Sequence, residues 1–392
     1  MKVLHICLAS FYIDNYSYQE NMLPKYHKKL GFEVEILASL VSFDKNGKVC
    51  TLERGSRYNN EYGIPVTRLE YKKSIIGQRL RQYEGTYEAI SKSKPDIIFI
   101  HGCQFLDIKH IVNYVKEHTD VKVYVDNHAD FSNSATNWLS KYILHGLIWR
   151  KCAYLIEPYT EKFYGVLPSR VDFLRGVYKL PEEKIELLLM GVDDEKLVKL
   201  QNKDVRKEIR EKHNIQQEDF LIITGGKVDN AKKQILFLMN AVQKIENKNV
   251  KLIVFGSVID DLREEISKLA DGVKVQYIGW INSEESYKYF GASDLVVFPG
   301  RHSVFWEEVA GLGIPMIVKY WSGTTHIDLG GNCQFLYKDT TEEIKEKIEE
   351  VVNNDEVYEN MKNVARNEGI SQFSYLNIAK KSIDYKVDRK RF

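Results

Sequence analysis

The sequence predicts an α/β protein built from two doubly wound parallel sheets, and three observations carry that prediction. At 392 residues the chain exceeds one ordinary core, so two domains of about 150 to 200 residues are expected. Short apolar runs rich in Val, Ile, Leu and Tyr alternate with longer amphipathic stretches, the spacing of right-handed βαβ units in a sheet covered on both faces. After about residue 190 the alternation restarts, which marks a second sheet of the same kind.

In the first half KVLHICLA, FEVEILAS, PDIIFIHG, VKVYVDNH and AYLIEP read as strands. Between the first two lies YQENMLPKYHKKLG, a helix-length segment ending at Gly31, where a C-terminal cap is expected. In the second half DFLIITGG, VKLIVFGS, VKVQYIG, DLVVFPG and IPMIVKY read as strands, separated by the helices KKQILFLMNAVQKI, DDLREEISKLA, SEESYKYFGAS and FWEEVAGLG. KIELLLMGVDDEKLVKLQNKD, with its Gly191 turn, is the expected hinge. FSYLNIAKKSIDYKVDRKRF reads as a lone amphipathic helix with a basic tail. The expected domains are therefore residues 1–190, residues 191–371 and a C-terminal helix at 372–392 that packs back toward the first domain. One hinge between two such domains sets the carboxyl ends of both sheets across a cleft, so binding residues are sought just after strands.

Composition narrows the function. An apolar share of 44%, a charged share of 28% and 8 prolines describe a soluble globular protein. The net charge of +1 gives no footprint for nucleic acid. Residues 1–190 carry 26 Lys and Arg against 22 Asp and Glu, and residues 191–392 carry 30 against 33, a weak asymmetry that suits a lipid-facing first half. Cys7, Cys50, Cys103, Cys152 and Cys333 are scattered without CxxC spacing, so reduced thiols in cytoplasm are expected, with no disulfide framework and no zinc site. MKVLHICLAS reads as a first strand and not a signal peptide, and no run approaches a membrane span.

Chemistry-bearing residues follow the strands. In TGGKVDNAKKQ, Gly225 and Gly226 let the backbone turn and be approached closely, while Lys227, Lys232 and Lys233 place cations suited to a diphosphate; a plain glycine turn with solvated lysines is the alternative. In the corner FPGRHSVFWEEVAGLGIP, Glu307 and Glu308 stand in the first turn of a helix, where capping alone explains them or a carboxylate takes both hydroxyls of a ribose. Arg301 pairs with a phosphate or with a surface carboxylate. His128 ends VKVYVDNH, and His101 and Gly102 occupy a similar strand end; a histidine there donates to a sugar hydroxyl, transfers a proton, or is simply structural. WSGTTHIDLGGN, with Gly323 and Thr324, adds polar groups and amides for phosphate oxygens. WLSKYILHGLIWRKCAY reads as a core helix with one basic edge, the alternative being a surface for a membrane or a lipid tail.

Taken together, PDIIFIHG, LLLMGVDDEKL, TGGKVDNAKKQILFLMNA, VKLIVFGS, VKVQYIGWINSEESYKYFGASDLVVFPG and EEVAGLGIP resemble, in order and spacing, the retaining glycosyltransferases of the GT-B fold, in particular glycosyltransferase family 4. The opening YQENMLPKYHKKLGFEVEILAS is similar to a subgroup of bacterial surface-polysaccharide enzymes. The resemblance implies a nucleotide-diphosphate sugar held by the second domain, an acceptor held by the first, and a basic pair for the departing diphosphate. Lys227 stands where the family has arginine, and Lys233, with Lys232 as the alternative, matches the family lysine. Charge survives the Arg-to-Lys change and the bidentate fork does not.

Glu308 matches the second of two family glutamates, the ribose ligand, but Gly300 stands where the first is expected. Arg301, His302 and Ser303 are the residues left to approach the donor there. His128 matches the family histidine near the reacting carbon, and the resemblance leaves Tyr18, Gln19 and Glu20 as acceptor-binding candidates. The expectation is a metal-independent hexosyl-type transferase without a cofactor, cytoplasmic and peripheral on the inner membrane face, acting on a glycan or lipid-linked acceptor. A nucleotide-sugar epimerase of the same fold and a non-catalytic nucleotide-sugar-binding scaffold are the alternatives.

Overall fold

A computed structural model describes every residue except Ser10, residues 45–47, Ile75, Ser132, Thr136, Lys203 and residues 386–392, and leaves the side chains of Gln201, Asn202 and Ser283 undescribed. The basic tail KVDRKRF therefore lies outside the described residues. The chain divides into two compact units, Met1–Leu189 together with the segment from Ile378, and Met190–Asn377. The first division falls one residue before the expected 190/191 boundary.

The first unit contains β1 (Lys2–Cys7), β2 (Glu33–Ala38), a small antiparallel pair β3 (Val41–Phe43) and β4 (Val49–Thr51), then β5 (Ser56–Asn59), β6 (Pro65–Arg68), β7 (Ile97–His101), β8 (Lys122–Asn127), β9 (Thr160–Gly165) and β10 (Ile185–Leu187). Eight of these make one sheet in the order β10-β9-β8-β7-β1-β2-β6-β5. Every pairing in it is parallel except β5 with β6. All five residues of β7 are buried, as expected for a central strand covered on both faces.

One expectation fails here. AYLIEP is not a strand: Arg150–Ile156 is helical, and Cys152, Ala153 and Ile156 are its buried side, a spacing that fits a helix. The strand lies just beyond it, at β9. The expected hinge KIELLLMGVDDEKLVKLQNKD opens as β10, an edge strand paired with β9 through Ile185 and Phe163, and the division between Leu189 and Met190 falls inside this segment.

The second unit holds β11 (Phe220–Gly225), β12 (Val250–Phe255), β13 (Val275–Tyr277), β14 (Leu295–Phe298), β15 (Met316–Lys319) and β16 (Cys333–Leu336). Their order is β13-β12-β11-β14-β15-β16, and every pairing is parallel. The order reverses between β11 and β14, so the loops after these two strands diverge to opposite sides and leave a crevice at their carboxyl ends. The core of this unit gathers Ile222, Leu252, Val254, Leu295, Val297 and Ile317 with the helix Ile235–Lys244 and the helix Thr341–Val352.

Candidate active site

In the second unit the loop after β11 is shaped by glycine. A side chain at Gly225 would put its Cβ 2.1 Å from the Phe255 ring, and Gly226 has φ +121, so the backbone turns hard against β12. Val228 N–H donates to Ser257 O at 2.8 Å, which continues the pairing past the strand ends. Asp229 then accepts from Ala231 N–H at 3.0 Å and its carbonyl from Lys232 N–H at 2.9 Å. These bonds wind the chain into a turn, and the helix starts only at Ile235. Lys232 and Lys233 therefore stand in the turn and not, as expected, inside the helix.

The two lysines face different ways. Lys232 is half-buried, and burial lowers the pKa of its ammonium; Asp229 opposes this, while Arg301 and Lys227 push the same way as burial. Lys227 is exposed and 3.8 Å from Asp229. Lys233 is exposed, and its charge is felt by Asp339, which pairs with Lys319 at 2.7 Å. The cations brought together are Lys227, Lys232 and Arg301.

The corner after β14 packs on this turn. A Cβ on Gly300 would lie 3.3 Å from Lys232 Cα and 3.3 Å from Gln234 Oε1, so a side chain there crowds the lysine turn, which must give by a few tenths of an ångström. Beyond it, Ser303 O accepts from Trp306 N–H at 3.0 Å. Glu307 is fully buried and accepts from His302 Nε2 at 2.9 Å and from His326 Nε2 at 2.8 Å, both on Oε1. Burial by itself raises its carboxyl, but the two imidazoles outweigh this and hold it well below the usual carboxylate range. Helix capping is thus not what Glu307 does: it ties the corner to the loop after β15.

Glu308 points elsewhere. Burial pushes its carboxyl up, Lys196 opposes this, and Asp193 and Glu284 add to it. Its Oε1 is buried without a hydrogen-bond partner among the described residues. In the loop after β15, Gly323 has φ +80, and Thr324 Oγ1 donates to Trp321 O at 3.0 Å, so that hydroxyl is committed locally. His326 and Lys196 were not singled out in the sequence, and Glu307 was named without its histidine partners. The adjacent glutamates were the available signal, since neighbours on a helix point about 100° apart and serve different sides.

In the first unit β7 and β8 place His101 opposite Asp126 in register. His101 Nδ1 lies 2.8 Å from Asp126 Oδ2. His128 Nε2 lies 3.3 Å from the same oxygen and 4.0 Å from Glu20 Oε1. Burial lowers the His128 imidazole pKa, but Asp126 and Glu20 outweigh it and the net direction is up. Tyr18 precedes the helix Gln19–Lys29 at its N-terminal cap, and burial pushes its hydroxyl up to about 12, reinforced by Tyr16 and Glu20. Gln19 is buried, with both side-chain polar atoms lacking a partner among the described residues. The structure thus joins Glu20 to His128, with Tyr18 and Gln19 beside it in sequence. Asp126, in β8 two residues before His128, was missed.

Among the described residues two groups have the side-chain types of a metal site, Glu20–His101–His128 and His302–Glu307–His326. In the first, both nitrogens of His101 are engaged, by His5 and Asp126. In the second, both imidazoles are engaged by one carboxylate oxygen. Neither group is assigned to an ion.

The segment expected as a core helix departs from that reading. Leu139–Trp149 forms a wide π-type helix that runs into Arg150–Ile156. Only His145 and Trp149 of its first part are buried, whereas Trp138 is 66% and Leu147 65% exposed, with Leu139 and Tyr142 also exposed. No helix among the described residues is long and apolar enough to cross a membrane.

Residues 205–368 match the family described as Glycosyl transferases group 1. That segment holds the Lys227–Lys232–Arg301 group and Glu308. An uncharacterized glycosyltransferase of Methanocaldococcus jannaschii is 25% identical over 222 residues, 54% of this chain and 56% of that relative, so the match spans about half of the relative's length. Among solved structures, a glycosyltransferase from Rickettsia africae aligns at a TM-score of 0.68 with 16% identity, covering 98% of this chain and 97% of the other. UDP-GlcNAc 2-epimerase from Neisseria meningitidis, bound to UDP-GlcNAc, aligns at 0.64 with 14% identity, covering 98% and 99%. The fold is therefore GT-B-like, an architecture that both a transferase and an epimerase use.

Proposed function

We propose that the chain is a retaining, metal-independent glycosyltransferase of family 4 type, moving a sugar from a nucleotide-diphosphate donor to a glycan or lipid-linked acceptor of a surface polysaccharide or glycolipid. The observation that carries this reading is that the matched segment, residues 205–368, contains Lys232 in a turn after Gly225 and Gly226, where the charges of Lys227 and Arg301 act on it. In the reaction the anomeric carbon exchanges its diphosphate oxygen for an acceptor oxygen. Negative charge grows on the departing diphosphate, and cations already in position lower the barrier.

Lys227 and Lys232 are assigned to that diphosphate, with Arg301 beside them. Lys232 replaces Lys233 as the second cation because its charge interacts with Lys227 and Arg301. Glu308 is the ribose ligand: its buried Oε1 lacks a hydrogen-bond donor, and a ribose diol supplies one. A cavity of 330 Å³ lined by Ser257, Tyr277 and Trp280 adjoins the glycine turn through Gly256 and has room for the base. Arg301, His302, Ser303, Gly323 and Thr324 surround the donor sugar and phosphates, with His302 held by Glu307. His128 contacts the donor sugar near the reacting carbon, and Tyr18, Gln19 and Glu20 face the acceptor. Trp138, Leu139, Tyr142 and Leu147, with Lys141 and Arg150, form the face that meets the cytoplasmic side of the membrane.

A panel of nucleotide sugars incubated with and without a membrane extract tests this. Acceptor-dependent release of nucleoside diphosphate, with sugar appearing in the lipid or glycan fraction, supports transfer. Isomerisation of the donor without acceptor replaces the reading with an epimerase, and tight binding with neither replaces it with a scaffold.

A further inference from the structure

The two strands at one edge of the second unit's sheet, β15 and β16, end in exposed aromatic rings. Tyr320 N–H donates to Leu336 O at 2.9 Å, so the pairing of these strands runs one residue past β15 and sets Tyr320 beside Tyr337. Their rings stack with centroids 5.2 Å apart and planes 29° from parallel, and the Phe335 ring meets Tyr320 edge-on at 5.7 Å. Tyr320 is 41% exposed and Tyr337 64%.

Single exposed tyrosines are ordinary, but the backbone under this pair is tied down from both sides. Glu343 Oε1 accepts from Tyr337 N–H at 2.9 Å and its Oε2 from Lys338 N–H at 2.7 Å. The Thr340 hydroxyl accepts from Glu343 N–H at 3.3 Å, which is half of a capping box; the carboxylate that closes such a box on the Thr340 amide is turned to Tyr337 and Lys338 instead. From the other side Lys319 Nζ donates to Tyr337 O at 3.1 Å and pairs with Asp339 Oδ1 at 2.7 Å. Asp339 Oδ2 accepts from Gln234 Nε2 at 3.2 Å. Holding two rings out in water gains the fold little, whereas it removes the ordering cost for a ligand that covers them.

Size and rim constrain that ligand. A stable protein interface takes about 800 Å² from each partner, and two aromatic side chains supply at most about 500 Å². A pyranose ring fits better: its C–H groups suit the negative face of an aromatic ring, and its hydroxyls can donate to the Asp339 carboxylate and accept from Gln234 or Lys319 at the margin. Place in the fold says which sugar. β16 lies three strand positions from β11, roughly 14 Å at the spacing of neighbouring strands, and the diphosphate proposed above sits in the loop after β11. A ring stacked on Tyr337 is thereby set apart from the donor sugar, which is attached directly to that diphosphate.

We propose that Tyr320 and Tyr337 form a stacking platform for a pyranose ring of the acceptor, one other than the sugar that receives the new bond, so that the acceptor is a glycan of at least two sugars. That a sugar ring binds there rests on the geometry of the platform, whereas its belonging to the acceptor rests on the function proposed above.

Saturation-transfer NMR on the full chain without nucleotide tests the platform, with cellobiose, lactose, mannobiose and chitobiose as probes, since each offers the C–H face of a pyranose. The wild type is expected to transfer saturation to the C–H protons of at least one probe. Tyr337→Ala and Tyr320→Ala should each lose about fivefold or more of that transfer, while Tyr337→Phe, which keeps the ring, should stay within about twofold. No transfer to any probe in the wild type, transfer unchanged in both alanine variants, or an equal loss in Tyr337→Phe overturns the platform. A wild type that sediments as a dimer and a Tyr337→Ala variant that sediments as a monomer give the face to a second copy of the chain and overturn it too. Once the donor and acceptor are identified, Tyr337→Ala should raise KM for the acceptor by about tenfold and leave kcat and KM for the nucleotide sugar unchanged; an unmoved acceptor KM overturns the proposal. Ring-dependent binding of a probe by a protein that transfers no sugar upholds the platform and overturns the function proposed above.

Discussion

The polar cluster of the first unit is sealed from water, whereas that of the second opens onto it. In the first, His5, His27, His101 and Asp126 form a continuous buried row in which only Asp126 Oδ1 lacks a hydrogen-bond partner among the described residues, and His128 at its end is partly exposed. In the second, Lys227 is largely exposed and Glu308 keeps a buried oxygen without a donor. A closed network fixes geometry and charge, while an open one leaves valences for a ligand. The second cluster also contains a buried element of its own, Glu307 Oε1 accepting from His302 and His326, which ties the corner to the loop after β15 and leaves Glu307 Oε2 and His326 Nδ1 without partners among the described residues.

Substitutions can break this contrast, and the largest effect is expected where a closed network loses its charge. Glu307→Gln leaves two imidazoles around a neutral amide that must also bury its own donors, and it should destabilise the second unit by about 3 kcal/mol in urea unfolding. Acidification tests the first cluster. The folded-state pKa of His27 lies at about 4, below its value of 6.5 in the unfolded chain, so the unfolded state binds more protons between these two values. Stability is therefore complete above pH 6.5 and is lost as the pH falls toward 4, by about 3 kcal/mol, read as a falling melting temperature.

Glu308→Gln probes the open cluster. It should raise KM for the nucleotide sugar by about tenfold with little change in kcat, since a ribose contact is made equally in the ground and transition states. The smallest effect is expected from Gly300→Ala, whose methyl group meets Lys232 Cα at 3.3 Å. A cost of about 1 kcal/mol in stability is expected from that crowding, together with lower turnover because the lysine turn moves. Turnover unchanged by Gly300→Ala would separate the lysine turn from the corner and blunt the contrast.

The same contrast explains what was legible in the sequence. The open cluster lies on short contiguous motifs directly after strands, so Gly225, Gly226, Lys227 and Lys232 stand out by spacing and composition, and Glu308 by resemblance. The buried one draws residues 5, 101 and 126 from three strands and residue 27 from the helix Gln19–Lys29, and the register of β1, β7 and β8 sets the three strand residues side by side. His128 was visible because it ends a strand, but its partner Asp126 was hidden within an apolar run. Lys232 and Lys233 could not be separated because the Asp229 turn, which delays the helix to Ile235, decides which way each points. AYLIEP was misread for a plainer reason: a short apolar run fits a buried helix as well as a strand.

The most direct test of the account compares nucleoside diphosphate release by the wild type, Lys232→Ala and Lys233→Ala, with the donor identified by the nucleotide-sugar panel and its acceptor present. Lys232→Ala should slow release by about 100-fold or more. Lys233→Ala, an exposed charge outside the cluster, should stay within about fivefold of the wild type. Equal rates for the wild type and Lys232→Ala, or the reverse ranking of the two variants, would contradict the assignment of the diphosphate to the Lys227–Lys232–Arg301 group.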